Sequence, residues 1–215
     1  LVLVGIPIFW LHWRTIQRDA LREPEEHASR IRAVFLYSAL FATLVPMVYA
    51  VLALVNRWLT TLFGQPAASA WFGADGSALD NIIAILINAL ALVYFWSILR
   101  KDWLSNIPEN FLAETRRLYR YLWVLFGLII TIVGIYNLIR YLLGMNEPDA
   151  DRMPVILAAG ISLALVGAPM WAYHWMIVQN AQVDAQERRS LLRLVVLYLV
   201  SLAGVVGVLS TVSAI

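Results

Sequence analysis

The chain has 215 residues, of which 61% are hydrophobic and only 14% charged, with a net charge of +2 and a mean hydropathy of +0.74. A soluble domain runs nearer half apolar and a quarter charged, so this composition cannot cover a water-facing surface. With no Cys, disulfide frameworks, thiolate metal sites, iron–sulfur clusters and Cys nucleophiles are excluded.

The chain opens on Leu, not Met, inside an apolar run that reaches Arg14 after 13 residues. A span needs roughly 20 residues, so the first helix is expected to lack its beginning. A signal peptide does not fit, because the run has no basic start and no small-residue cleavage site. Charge-free apolar stretches then follow at 33–55, 81–99, 121–139, 154–178 and 194–215. Each is long enough to cross a hydrocarbon core of about 30 Å. The runs are continuous, not alternating, which selects helices over a barrel. Ser77 and Asp80 are candidate caps before the third helix, and Pro154 suits a first helical turn. Pro7, Pro46 and Pro169 fall inside spans, where a proline kinks a helix more often than it ends one. The expected fold is therefore all-α: a polytopic membrane helix bundle of six transmembrane helices.

The segments 14–32, 100–120 and 179–193 hold 13 of the 16 Lys and Arg residues, leaving Arg57, Arg140 and Arg152 for the other side. The positive-inside rule puts those three basic loops in the cytoplasm. Of the external loops, 144–153 is short and acidic, with Glu147, Asp149 and Asp151. The loop 56–80 is longer and carries Trp58, Phe63, Trp71 and Phe72, which suits aromatics floating at headgroup level.

The sequence repeats. Val4 to Gln17 aligns with Val166 to Gln179 at six of fourteen positions, and Glu26 to Tyr37 aligns with Glu187 to Tyr198 at six of twelve. A weaker middle copy places Trp96 and Asp102 where Trp13 and Asp19 stand, and Glu114 and Arg120 where Glu26 and Arg32 stand. It has Phe95 in place of His. The unit is an incoming helix, a charged loop and an outgoing helix. Three units running the same way give the hairpin repeats 1–56, 81–143 and 154–215, as parallel and not inverted repeats. Measured against the third copy, about nine residues of the first span are missing. Small residues four apart, at Ala203/Gly207, Gly160/Ala164 and Ala158/Ser162, let helices approach closely.

Few residues offer chemistry. His12 and His174 occupy equivalent repeat positions, each followed by Trp and, five residues after the His, by Gln. Histidine ligates haem iron and pigment magnesium, so these two are the candidate cofactor-binding residues; an interfacial packing role is the competing reading. His27 lies in a loop of mixed charge and reads as solvated. The pairs Glu26/Arg32, Glu114/Arg120 and Glu187/Arg193 are six apart and do not share a helix face. Each Glu suits a helix N-terminus, and each Arg is expected to snorkel to the interface. Asp184 and Glu187 have capping-box spacing. Asn88 and Asn137 are the amides within spans, expected to bond between helices. No acidic or basic residue lies inside the five complete spans, which argues against proton relays, ion-coupled carriers and voltage sensors. Phosphate loops, HExxH and GxSxG motifs are absent, and the mixed-charge loops do not suit nucleic acid.

The repeated Gly5-x-Pro7…His12-Trp13…Gln17 and Gly167-x-Pro169…His174-Trp175…Gln179, followed by Glu26-x-x-Ser29-x-x-Arg32 and Glu187-x-x-Ser190-x-x-Arg193 and a tyrosine-containing apolar helix, resemble a bacterial family of repeated membrane domains of unknown function. The resemblance is clear in the first and third units and weak in the middle. It implies a protein of the bacterial cytoplasmic membrane and brings no catalytic residues. The expected role is a non-enzymatic integral membrane scaffold or accessory subunit, partnered by the lipid bilayer and other membrane subunits. Two readings stay open beside it: a protein binding haem or a chlorophyll-type pigment such as bacteriochlorophyll through His12 and His174, and a transporter of a neutral or lipid-like solute.

Overall fold

The computed structural model describes residues 2–22, 29–104, 110–144, 152–183 and 190–212. Six α-helices account for nearly all of them: α1 (Val2–Arg22), α2 (Arg30–Leu62), α3 (Ala78–Leu104), α4 (Asn110–Leu143), α5 (Met153–Ala181) and α6 (Leu191–Val212). A short 3₁₀ turn lies at Ala67–Ser69, and no strand occurs among the described residues. Four helices are long and apolar enough to cross a membrane, Arg30–Leu62, Ala78–Trp103, Ala113–Leu143 and Met153–Ala181, with a shorter apolar stretch at Leu191–Val205. The chain is thus an all-helical protein of membrane type.

The helices outrun the charge-free stretches. α2 begins at Arg30 and continues past Arg57 to Leu62. A charge ends the apolar run because it ends contact with hydrocarbon, while backbone hydrogen bonding carries the helix on into the polar layer. Pro7, Pro46 and Pro169 all sit inside unbroken helices. Pro154 occupies the first turn of α5, where its missing N–H leaves nothing unbonded. At α3, Ser77 Oγ accepts from Asp80 N (3.1 Å) and Asp80 Oδ2 accepts from Ser77 N (2.8 Å), a reciprocal capping box.

Two compact units emerge. The first comprises 1–45 and 86–116, and the second 46–85 and 117–215. In the second unit α4 and α5 pack backbone to backbone. A Cβ placed on Gly134 would stand 2.7 Å from Ala164 N, one on Gly167 2.8 Å from Thr131 N, and one on Gly127 2.8 Å from Trp171 N. Gly160 is closed off in turn by Leu138 at 3.0 Å. Small residues at such a seam give contact area that a lipid-solvated helix pair otherwise lacks. Gly160/Ala164 is therefore a seam pair, as its spacing suggests, while Ala158 and Ser162 are fully buried and Ser162 meets Asn56 of α2. The side chains around Gly207 lie outside the described residues.

The loop between α2 and α3 is tied down within the second unit. Asn56 donates to Ser162 Oγ (3.3 Å) and accepts from Phe72 N (3.1 Å). Arg57 donates to the carbonyls of Gly73 and Gly76. Gly73 takes φ +72°, a conformation that L side chains rarely adopt, and a Cβ there would also meet Ala53 Cβ at 2.7 Å. Trp58 and Trp71 stay exposed, in keeping with an interfacial segment, while Phe72 meets Tyr49 edge to face.

Candidate functional site

The most polar cluster of the first unit joins α1, α2 and α3. Arg32 of α2 donates from Nε to Asp102 Oδ2 (2.9 Å) and from Nη2 to Asp102 Oδ1 (3.4 Å). Its Nη2 also donates to Gln17 Oε1 (3.2 Å) on α1. Arg32 and Asp102 are both buried, at 8% and 3% exposure. A bidentate guanidinium–carboxylate pair is among the strongest polar contacts available, and burial makes each partner depend on the other. This corrects the snorkelling expected of Arg32: the charge turns inward because a carboxylate from the next repeat meets it.

Above this clamp lies an aromatic group. Trp13 Nε1 donates to Tyr94 Oη (2.6 Å), and the Trp13 ring packs on Phe35 (5.3 Å) and Phe95 (5.8 Å). Phe35 in turn meets Phe95 edge to face at 6.4 Å. Phe35 lies on α2 and Phe95 on α3.

The second unit holds the counterpart. Trp123, which stands in its repeat where Phe35 stands, stacks on His174, which stands where Phe95 stands, at 5.6 Å and 22° between planes. Tyr173 meets the same imidazole edge-on at 5.1 Å. Tyr121, Val124, Val178 and Val196 form a buried apolar cluster beside it, flanked by Trp171 and Trp175. The carboxylate of the clamp does not recur in the third copy of the sequence. The position equivalent to Asp102 is Ala181, which with Arg117, Arg120 and Gln182 lines a small cavity.

The two candidate ligands share one local geometry. His12 Nδ1 lies 2.8 Å from Ile8 O, and His174 Nδ1 lies 2.9 Å from Met170 O. A carbonyl partner requires a proton on Nδ1, so in the neutral form of either ring the lone pair is on Nε2. His12 belongs to the first unit, exposed, and His174 to the second, half-buried. No group of three or more metal-ligating side chains occurs among the described residues. Asn137 is 1% exposed and donates to Val133 O (2.9 Å), with no partner for its Oδ1 among the described residues. Asn88 lies in the first unit and is bonded. His27, Glu26, Asp184, Glu187 and the acidic loop residues Glu147, Asp149 and Asp151 lie outside the described residues.

Asp102 and Gln17 stand out in the sequence only as repeat positions with no role attached, and Asn56 does not stand out at all. The available signal was the repeat itself, since Asp102 aligns with Asp19 and Gln17 with Gln179.

A family profile described as a domain of unknown function (DUF5671) matches residues 1–96 and 117–215, and the chain belongs to that family. Its two matching segments are consistent with a repeated domain. No curated protein and no solved structure matches the chain.

Proposed function

We propose that this chain is a non-enzymatic integral membrane scaffold or accessory subunit, built as three same-direction helix hairpins with six spans. On this reading it sits in a bacterial cytoplasmic membrane, with loops 14–32, 100–120 and 179–193 inside. The observation that carries the reading is what the repeated residues touch. Phe35 against Phe95, edge to face, and Trp123 stacked on His174 pair the same two repeat positions, and Arg32 is consumed by Asp102. The positions that recur are thus used to hold one repeat against the next, while the exposed apolar faces, such as Leu191, Tyr198 and Leu202 on α6, face lipid or other subunits.

A photo-crosslinking residue at Tyr198, activated in native membranes, tests this. A stoichiometric adduct with a particular membrane protein is expected. Adducts with lipid alone would overturn the reading.

A pigment- or haem-binding role is the second reading, favoured by one feature. A ring whose Nδ1–H is held by a carbonyl, with Nε2 left basic, is the arrangement ligating histidines adopt. A visible absorbance band that disappears in a His12→Phe/His174→Phe double variant would establish it. Transport has less support, since Asn137 is packed in a helix seam.

A further inference from the structure

Outside the three basic loops the chain carries three arginines, Arg57, Arg140 and Arg152. Arg57 is occupied by the carbonyls of Gly73 and Gly76. The other two line one cavity of about 310 Å³ in the second unit, between the end of α4 and the start of α5. Tyr136, Ile139, Leu143 and Met153 complete most of its wall. The volume lies at the low end of the roughly 300–1,000 Å³ of small-molecule sites. Among the described residues no carboxylate lines the cavity, and neither guanidinium has an acidic partner there; Glu147, Asp149 and Asp151 of the connecting segment lie outside them. Arg152 occupies the N-cap position of α5, whose first-turn N–H groups add positive potential.

The cavity is the head of an apolar track. Tyr136 (62% exposed), Ile139 (49%) and Leu143 (78%) lie on its wall, and Ile132 continues the same helix face one turn further from it. A free anion needs the arginines and has no use for the track. A phospholipid uses both: phosphodiester oxygens accept from the guanidiniums, and an acyl chain lies along α4.

We propose that this cavity binds the phosphodiester headgroup of a phospholipid, held by Arg140 and Arg152, with its acyl chain along Ile132, Ile139 and Leu143. The whole chain, purified in mild detergent, is titrated with phosphatidylglycerol, diacylglycerol or inorganic phosphate and read by native mass spectrometry. Phosphatidylglycerol is expected to be retained at least tenfold better than diacylglycerol, which has the tails without the phosphate. R140Q/R152Q lowers that retention about tenfold, the scale of losing charge-assisted hydrogen bonds. R18Q/R22Q removes the same charge elsewhere and leaves retention unchanged. Millimolar inorganic phosphate does not displace the lipid. Equal retention by wild type and R140Q/R152Q would overturn the proposal, as would displacement by phosphate, which would mark a free-anion site. If the double variant does not fold, the wild-type comparison still decides: diacylglycerol retained as well as phosphatidylglycerol overturns it.

Discussion

Burying Arg32 against Asp102 ties two helices together through a contact that neither residue can lose alone. Removing one member of a buried pair leaves an uncompensated charge, typically costing 3–5 kcal/mol, whereas replacing both by apolar groups is often neutral. Asp102→Ala is therefore expected to lower thermal stability sharply in detergent, and Arg32→Met/Asp102→Leu to recover most of the loss. A single variant melting like wild type would show that the clamp contributes nothing. The His174 ring serves as an aromatic plate for Trp123, at the repeat position where Phe95 meets Phe35 edge to face. His174→Phe is accordingly expected to melt within a few degrees of wild type, and His174→Ala to lose about 2 kcal/mol or more from the vacated contact. Thermal unfolding followed by circular dichroism checks both. At this scale the sequence announced which residues recur and misjudged what one of them does. Glu26 and Arg32 are six apart, a spacing that does not share a helix face, so local spacing suggested an interface anchor. The partner of Arg32 is seventy residues away, and no local pattern encodes that distance.

Among the elements, the α4–α5 pair is set by glycines. Gly127 and Gly134 on α4 face Trp171 and Ala164, and Gly160 and Gly167 on α5 face Leu138 and Thr131. At Gly127 and Gly134 the atoms met are largely backbone, which cannot swing aside as a side chain would. Gly134→Leu is thus expected to force the helices apart and cost about 1–3 kcal/mol or more. Gly5→Leu, with open space around its backbone, changes stability little. Melting temperatures of the two variants provide the comparison, and equal shifts would contradict it. Helix existence, the internal prolines and the Ser77/Asp80 box were legible because each is a local rule of composition or capping. The seam was half legible. Gly160/Ala164 has the four-residue spacing of close-packed helices, while Gly127 and Gly134 are seven apart and give no such signal in isolation. The loop anchor at Asn56 was hidden because its partners, Ser162 and Phe72, come from distant segments.

For the whole molecule, the absence of Cys makes topology directly measurable. Single cysteines at Ser77 and Ser190 are expected to lie on opposite sides of the membrane. A membrane-impermeant maleimide added to intact cells should label Ser77→Cys and spare Ser190→Cys until the cells are opened. Labelling of Ser190→Cys in intact cells would contradict the assignment drawn from the basic loops. Composition and charge asymmetry suffice to propose that topology, because hydrocarbon admits so few solutions. What the protein joins is not legible in the same way, since partner recognition resides in exposed apolar faces that resemble lipid-facing ones. Purification from native membranes in mild detergent, sized and monitored for visible absorbance, tests the scaffold reading most directly. The expected result is a colourless assembly in which other membrane chains accompany this 24.3 kDa chain in fixed proportion. A solitary chain, or a visible chromophore lost on replacing His12 and His174, would contradict it.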